Sequence, residues 1–229
     1  MRVQQDPGIL GNTGYRTGIT WATSSAARAR AAELIAAQRA QATEIGRNAH
    51  KSHQWAAHAV RSPALLSAVQ AVIGESVAVE NTFLLIKWPG KVFAVPWHQD
   101  GIDAGRELDP DRSVSAWLAL TDATSLNGCL RVVGGSHRCG YLPFAKEPEH
   151  GGDHGRADQV SGFSPQHSAE LEIPAGGAIL MDSRLIHSSG PNHSQGARIG
   201  LNIRYVAPDG WHRRDPSCPS LDPVSGPGW

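Results

Sequence analysis

The amino-acid sequence predicts a mainly β protein, a double-sheet barrel or jelly roll with helices packed outside it. Two observations support this prediction. From residue 76 onward, short runs rich in β-branched and aromatic residues are separated by Gly, Pro, Asn and Asp. Before that point, two segments consist mainly of residues that favour helices. At 229 residues, the chain is long enough to form one such domain with a sizeable core.

The segment before residue 76 is expected to supply the flanking helices. Residues 1–22 are Gly-rich and aperiodic, which predicts a loop. Residues 23–46 are Ala-rich with few large apolar side chains, which predicts an exposed helix. Residues 62–74 predict a better-defined helix, because a Ser-Pro pair opens it, its large apolar residues share one face, and a glycine closes it.

Seven later runs are predicted to be strands: residues 76–88, 91–97, 113–120, 129–133, 169–174, 177–182 and 198–208. Residues 144–167 show no periodicity, and a stretch of this length inside a compact domain is typical of a functional lid or a mobile loop. From Pro208 the chain is rich in proline, which predicts an extended tail. We therefore expect three parts: an N-terminal loop and Ala-rich helix (1–47), a barrel core (48–208) and a Pro-rich C-terminal tail (209–229).

The composition argues against several classes of partner. Lys+Arg and Asp+Glu each number 21 and no basic stripe is present, so nucleic-acid binding is not expected. No run reaches the roughly 18 apolar residues of a membrane-spanning helix. Three cysteines without a C-x-x-C pair are typical of a reducing cytoplasm. We expect a cytoplasmic protein that acts on a small molecule, with no membrane partner and with its oligomeric state open.

One short motif, PWHQDG at residues 96–101, contains candidate metal ligands. His98 and Asp100 lie two residues apart at the end of a predicted strand, so their side chains point to the same side. His187 follows the predicted strand 177–182 and can close the site from across the barrel. Two histidines and one carboxylate suit non-haem Fe(II), because they leave positions open for other ligands. A structural zinc site would instead use four ligands, usually including cysteine.

Two further residues can bind an organic ligand beside such a metal. Arg198 follows His187 on a predicted strand, and a guanidinium there can bind a carboxylate through two parallel hydrogen bonds. Ser189 can donate one more. Each residue alone has a commoner explanation, since most core histidines are only hydrogen-bonded and most strand arginines face solvent. The prediction therefore depends on the whole set occurring in order on strands.

Several segments of the sequence resemble a known family, namely NTFLLIKWPG, PWHQDG, AWLALTDAT, NGCLRVVGGSH and HSSGPNHSQGARIGLNIRYVAP. Over about residues 48–208 the chain resembles the phytanoyl-CoA dioxygenase family of Fe(II)/2-oxoglutarate oxygenases. The resemblance implies a double-stranded β-helix (a cupin-like jelly roll) that uses Fe(II), O₂ and the cosubstrate 2-oxoglutarate. It also implies hydroxylation of an unactivated C–H bond of a small metabolite, with release of succinate and CO₂. The Ala-, Arg- and Gly-rich composition is typical of bacteria in which such enzymes serve secondary metabolism.

Carried over position by position, the resemblance implies roles for individual residues. His98, Asp100 and His187 would be the iron ligands, and Arg198 would pair with the far carboxylate of 2-oxoglutarate. Four further residues would lie at the cosubstrate: Ser189, Trp117, Phe83 and Gln99. For the two aromatic residues, ordinary core packing is an equally good explanation. Residues 1–47 show no match to the N-terminal segment of the family, so the substrate is left open.

The carboxylate at position 100 bears on the reaction outcome. Halogenating members of the family carry Ala or Gly there, which frees a position for chloride, so Asp100 implies oxygenation. Two other functions stay open. One is a cupin-like, metal-dependent isomerase or hydrolase that does not use 2-oxoglutarate, and the other is a non-catalytic binding protein that keeps the pocket. Dependence on 2-oxoglutarate separates the oxygenase from both.

Other candidate sites have weaker support. His150 and His154 have metal-like spacing but lie in the aperiodic stretch, where a solvated lid is the simpler explanation. Lys87 and Arg204 are candidate partners for substrate charge on barrel strands, or strand ends that face water. The GGSHR segment lacks the second glycine of a G-x-S-x-G elbow, so the sequence does not support a serine hydrolase.

Overall fold

The computed structural model describes residues 10–37, 44–146 and 158–229. Within these ranges the α-helices all lie before the first long strand: α1 Ser24–Ala37, α2 Ala49–Ser52, α3 Gln54–Ala59 and α4 Pro63–Ile73. The strands of the same ranges are β1 Tyr15–Thr20, β2 Glu44–Arg47, β3 Val77–Lys87, β4 Val95–His98, β5 Ile102–Asp103, β6 Arg106–Leu108, β7 Ser113–Ala119, β8 Leu130–Val132, β9 Phe144–Lys146, β10 Asp158–Val160, β11 Ala169–Leu171, β12 Gly177–Asp182, β13 His187–Ser189, β14 Arg198–Val206, β15 Trp211–Arg214 and β16 Asp222–Ser225.

Two antiparallel sheets form the body of the molecule. The larger has the strand order β1-β12-β7-β14-β3-β16, and β2 also pairs with β3. The smaller has the order β11-β8-β13-β4. Two minor sheets, β10-β9 and β15-β6-β5, lie beside them. The predicted fold class is confirmed: the protein is mainly β and forms a double-stranded β-helix, and the described α-helices all lie in the N-terminal part of the sequence.

The two faces of β14 show how the sequence builds this fold. Ile199, Leu201 and Ile203 are fully buried in the apolar cluster that also contains residues of α1 and α4. The alternate positions carry polar residues, and Arg198, Asn202 and Arg204 line a cavity between the two sheets. Because side chains alternate along a strand, one face of β14 packs on the helices and the other faces the cavity.

Helix α4 agrees with its sequence prediction. Pro63 occupies the first turn, and Leu65, Val69 and Ile73 are buried against the larger sheet. Burial of each such side chain contributes roughly 1.5–3 kcal/mol to the free energy of unfolding. Ser62 precedes the helix, but its hydroxyl donates to the carbonyl of Trp21 rather than capping the helix.

The predictions for the first 47 residues are partly wrong. Of the helix predicted over 23–46, Ser24–Ala37 is helical, residues 38–43 lie outside the described ranges, and Glu44–Arg47 forms strand β2 instead. The loop predicted over 1–22 contains strand β1, which pairs antiparallel with β12. An edge strand is held mainly by backbone hydrogen bonds and here is largely exposed, so it lacks the apolar alternation that would reveal it.

Two later segments, the aperiodic stretch 144–167 and the Pro-rich tail, also contain β-strand pairs that their sequences do not predict. At the ends of the aperiodic stretch, β9 and β10 pair antiparallel, so residues 144–146 and 158–160 are ordered strand. Residues 147–157, which include His150 and His154, lie outside the described residues, and the lid stays a prediction. The Pro-rich tail is extended as predicted, and β15 and β16 hydrogen-bond to β6 and β3.

No helix in the described ranges has the length and apolar character needed to cross a membrane.

Candidate metal centre

The structure brings the three predicted ligands together at the β4 edge of the smaller sheet. His98 on β4 and His187 on β13 face each other in register, with ring centroids 4.1 Å apart. Asp100 follows directly after β4, and its carboxylate oxygens lie 3.7 Å from Nε2 of each histidine. The ligand atoms of all three residues lie within 4.8 Å of one another, close enough to share one metal ion.

Backbone carbonyls set the tautomer of both histidines. Nδ1 of His98 lies 2.9 Å from the carbonyl oxygen of Pro96, and Nδ1 of His187 lies 2.9 Å from that of Leu185. Because a carbonyl oxygen only accepts, each Nδ1 carries the proton and each Nε2 keeps its lone pair. Burial, reinforced by the neighbouring His187, lowers the pKa of His98 to about 3. His98 is therefore neutral at physiological pH, as a metal ligand must be.

Asp100 is buried and held by two residues of β14. Asn202 Nδ2 lies 3.2 and 3.1 Å from the two carboxylate oxygens. Arg204 Nε and Nη2 both donate to Oδ1, at 3.3 and 3.0 Å. Burial alone would raise the pKa of Asp100, but the Arg204 guanidinium and the two histidines outweigh burial and hold that pKa below its ordinary value. The carboxylate is therefore ionised.

Asn202 and Arg204 correct the sequence analysis. Asn202 was missed, and Arg204 neither faces water nor stands free for a substrate charge, since it is 8% exposed and pairs with Asp100. The sequence did contain a sign of this: both residues lie an even number of positions after Arg198 on β14, so all three side chains lie on the same face of the strand. What the sequence could not show is that this face lies against Asp100.

The donor set fits a non-haem iron site. Within the described ranges, His98, Asp100 and His187 form the only group of three or more His, Cys, Asp or Glu side chains placed to share a metal. They line a cavity of about 310 Å³, so the remaining coordination positions face open space. Two imidazoles and one carboxylate with open positions suit Fe(II), whereas a structural zinc site would need a fourth protein ligand.

Arg198 is a buried cation in the same cavity. It is 1% exposed, and no carboxylate of the described residues lies within ion-pair distance of it. Its Nη2 donates to the carbonyl of Gly128, while Nε has no hydrogen-bond partner in the part of the chain that the structure describes. Burial lowers the pKa of Arg198 to about 10, which leaves the guanidinium charged at physiological pH. A buried charge without a counter-ion is costly, so this end of the cavity suits an anionic ligand.

The turn that supplies the Gly128 carbonyl requires glycine. Gly128 has φ +78°, and a Cβ there would lie 2.2 Å from the carbonyl oxygen of Gly190. The close approach brings the loop after β7 against the loop after β13. This packing sets the position of the one carbonyl that Arg198 binds among the described residues.

The other predicted cosubstrate residues differ in what they contact. Phe83, Trp117 and Ser189 line the cavity, and the Arg198 guanidinium lies 5.0 Å from the centre of a Trp117 ring. Gln99 also borders the cavity, but its amide is engaged by backbone: Nε2 donates to the carbonyls of Gly140 and Arg184, and Oε1 accepts from Leu142. A role of Gln99 at the cosubstrate stays a prediction, and its observed contacts connect the segment between β8 and β9 to the turn between β12 and β13.

Lys87 is not at a strand end that faces water. It is 1% exposed, and its Nζ donates to the carbonyls of Ser189 and Gly190, the former at 2.9 Å. These contacts tie β3 to the segment after His187. Neither explanation offered by the sequence for Lys87 is therefore correct.

The chain matches known proteins over most of its length. The model of the phytanoyl-CoA dioxygenase family matches residues 18–200, so the match begins within β1 and includes part of the segment that the sequence analysis left unmatched. The phytanoyl-CoA dioxygenase of Arabidopsis thaliana is 33% identical over 135 residues, which are 58% of this chain and 45% of that protein. The L-proline trans-4-hydroxylase of Streptomyces griseoviridis is 28% identical over 189 residues, 76% of this chain and 70% of that protein.

A solved structure agrees with these relatives. The non-haem monooxygenase ThoJ, in its apo form, superposes with a TM-score of 0.75 at 25% identity, covering 94% of this chain and 82% of that one. The chain spans about half the length of the phytanoyl-CoA dioxygenases that it matches. With the family model covering residues 18–200 of 229, this chain belongs to the phytanoyl-CoA dioxygenase family of Fe/2-oxoglutarate oxygenases.

Proposed function

We propose that the protein is an Fe(II)- and 2-oxoglutarate-dependent dioxygenase that hydroxylates an unactivated C–H bond of a small metabolite, for which we expect a place in secondary metabolism. The observation that carries the proposal is a combination: the two-histidine, one-carboxylate cluster shares a cavity with Arg198, a buried cation that has no counter-ion among the residues that the structure describes. A metal-only isomerase or hydrolase would have no use for that cation. An inert binding protein would have no use for the metal ligands.

In this proposal, the metal ligands, Arg198 and Trp117 each have a distinct role. Fe(II), when bound by His98, Asp100 and His187, supplies the redox chemistry that couples oxidative decarboxylation of 2-oxoglutarate, with release of succinate and CO₂, to oxidation of the substrate by O₂. Arg198 binds the far carboxylate of the cosubstrate and thereby orients its keto-acid end toward the three ligands. Trp117 packs beside this ion pair and excludes water from it.

The outer part of the cavity is where the substrate binds in this proposal. Ile102, Ala104 and Asp158 line the cavity, are at least partly exposed, and present both apolar and polar surface. Hydroxylation rather than halogenation is supported by Asp100, which keeps a carboxylate at the position that halogenating members leave empty. The likeness to an L-proline hydroxylase supports the same outcome.

Anaerobic titration of 2-oxoglutarate into the Fe(II)-loaded protein tests the proposal. A weak visible charge-transfer band is expected when the keto acid chelates the metal. In Arg198→Ala the metal affinity should be unchanged, while the 2-oxoglutarate Kd should rise about 100-fold, equivalent to about 3 kcal/mol, because the carboxylate loses its buried partner. Arg61→Ala, which removes a partly exposed arginine paired with Asp222, is the control.

Two results would contradict the proposal. If the metal-loaded wild type gives no band, a metal-only cupin or a binding protein becomes the better description. If Arg198→Ala and Arg61→Ala bind 2-oxoglutarate equally well, Arg198 is not the anchor of the cosubstrate.

A further inference from the structure

The hydrogen bonds to Asp100 are distributed unequally between its two oxygens. Oδ1 accepts from Arg204 Nε and Nη2 and also lies 3.2 Å from Asn202 Nδ2. Among the described residues, Oδ2 accepts only from Asn202 Nδ2, at 3.1 Å. A carboxylate oxygen offers about two lone-pair sites, so Oδ1 is saturated and Oδ2 keeps one free. The free site belongs to Oδ2, which lies 3.7 Å from His187 Nε2, while the saturated Oδ1 lies at the same distance from His98 Nε2.

Arg204 is held in this position by contacts that do not involve the metal ligands. Its guanidinium lies 5.2 Å from the ring centre of Phe83. Its Nη1 lies 4.0 Å from Asp103 Oδ2, and Asp103 in turn pairs with Arg106 at 2.6 Å. Arg106 pairs with the buried Glu80 at 2.5 Å. This chain of ion pairs fixes the two N–H groups that face Oδ1 and makes it costly for Asp100 to release them.

We propose that Arg204 is a positioning residue that restricts Asp100 to a single bond with the metal. With Oδ1 occupied by the guanidinium, the carboxylate cannot bind the ion through both oxygens. The position that a second carboxylate oxygen would take is then left for O₂. This inference rests on the proposed function, because it matters only if the metal must bind 2-oxoglutarate and O₂ together.

Replacement of Arg204 by lysine separates the charge of the guanidinium from its geometry. Lysine retains the positive charge beside Asp100 and Asp103, but its ammonium cannot place two N–H groups on one carboxylate oxygen in the same fixed fork. Oδ1 of Asp100 then becomes available to the metal. The matched control is Arg61→Lys. Arg61 likewise pairs with an aspartate, since its Nη2 lies 2.9 and 3.0 Å from the two oxygens of Asp222, but it lines no part of the cavity.

The probe is nitric oxide, a surrogate for O₂, titrated anaerobically into the Fe(II)- and 2-oxoglutarate-loaded protein and followed by the electron paramagnetic resonance signal of the iron–nitrosyl complex. In Arg204→Lys we expect nitric oxide to bind about tenfold more weakly than in wild type and in Arg61→Lys. The Fe(II) affinity, the 2-oxoglutarate charge-transfer band and the Tm should stay close to wild type. Arg204→Gln, which keeps one amide donor but no charge, is measured in parallel and should show the same loss.

The outcomes separate this inference from the proposed function. If wild type shows no charge-transfer band, the proposed function fails and this inference fails with it. If wild type shows the band and both Arg204 variants bind nitric oxide as Arg61→Lys does, only the positioning role is overturned. If the variants lose Fe(II) itself, Arg204 supports metal affinity instead of the number of carboxylate bonds, and the inference is again wrong.

Discussion

Glycine at position 200 allows two bulky side chains to occupy the same end of the cavity. Gly200 lies on β14 two residues after Arg198, and a Cβ there would lie 2.3 Å from the Trp117 ring. Trp117 in turn lies beside the Arg198 guanidinium. The absence of a side chain at residue 200 therefore sets how closely Trp117 approaches the residue that is proposed to bind 2-oxoglutarate.

Gly200→Ala is expected to disturb that arrangement. The added methyl group must displace Trp117, and overpacking of this kind costs about 1–3 kcal/mol of unfolding free energy. Because the displaced ring lies beside Arg198, the 2-oxoglutarate Kd should also rise, by about tenfold, as measured by anaerobic titration. Gly134→Ala is the control, since a Cβ at that glycine meets no atom within 4 Å. Equal 2-oxoglutarate affinities in the two variants would contradict the role given to Gly200.

At the scale of elements, the two faces of β14 have different roles: one face packs in the apolar core, and the other lines the cavity with the metal cluster. Its helix-facing residues belong to the main apolar cluster. Its cavity-facing residues are Asn202 and Arg204, which contact Asp100, and Arg198, which lines the same cavity. The strand pairs with β3 on one side and β7 on the other, and these two long hydrogen-bond ladders fix the direction in which each face points. Substitutions on the two faces should therefore have different consequences.

Leu201→Ala tests this separation. Leu201 is fully buried on the helix-facing side, so the cavity left by truncation should lower the free energy of unfolding by about 2–5 kcal/mol in urea titration. The 2-oxoglutarate affinity of the folded variant should stay within about threefold of wild type, because the cavity-facing side chains are unchanged. Leu126→Ala, at a leucine that is 59% exposed, should change neither quantity. A large loss of 2-oxoglutarate affinity in folded Leu201→Ala would show that the faces are coupled.

At the scale of the whole molecule, the helical layer is joined to the larger sheet through a buried histidine. His50 of α2 is 3% exposed, and its Nδ1 lies 3.0 Å from the hydroxyl of Thr82 on β3. Burial lowers the pKa of His50 to about 4, and the nearby cations Lys51 and Arg61 act in the same direction while Asp222 opposes them. His50 is therefore neutral in the folded protein over the pH range in which it would be protonated in the unfolded chain.

This difference predicts a loss of stability in mild acid. Below about pH 6.5 the unfolded chain binds a proton that folded His50 does not bind until about pH 4, so the unfolding free energy falls as the pH decreases through this window. The loss is expected to reach up to about 3 kcal/mol. Urea titrations at pH 7.5 and pH 4.5 should show a larger decrease in wild type than in His50→Gln. Equal decreases in the two proteins would rule out His50 as the cause.

Much of this molecule was predictable from local patterns. Short runs of β-branched and aromatic residues bounded by Gly, Pro, Asn and Asp identified the main strands, and the Ser-Pro start and glycine end located α4. Spacing alone placed His98 and Asp100 on one side of a strand, and the structure brings His187 to them. The missed strands β1 and β2 lie at sheet edges, where pairing is made by backbone groups that the sequence pattern does not record.

The sequence by itself determined the fold class and the identity of the residues that form the metal cluster, because strand-forming runs, the two-residue spacing of His98 and Asp100, and the family motifs that include His187 are all visible along the chain. Only the tertiary structure decided what each of these residues contacts. Asp100 contacts Arg204 and Asn202 across more than 100 positions of chain, and the amide of Gln99 binds backbone groups of Gly140 and Arg184. Among the described residues, Arg198 has no counter-ion. These contacts depend on the register between strands distant in sequence, and local patterns contain no information about that register.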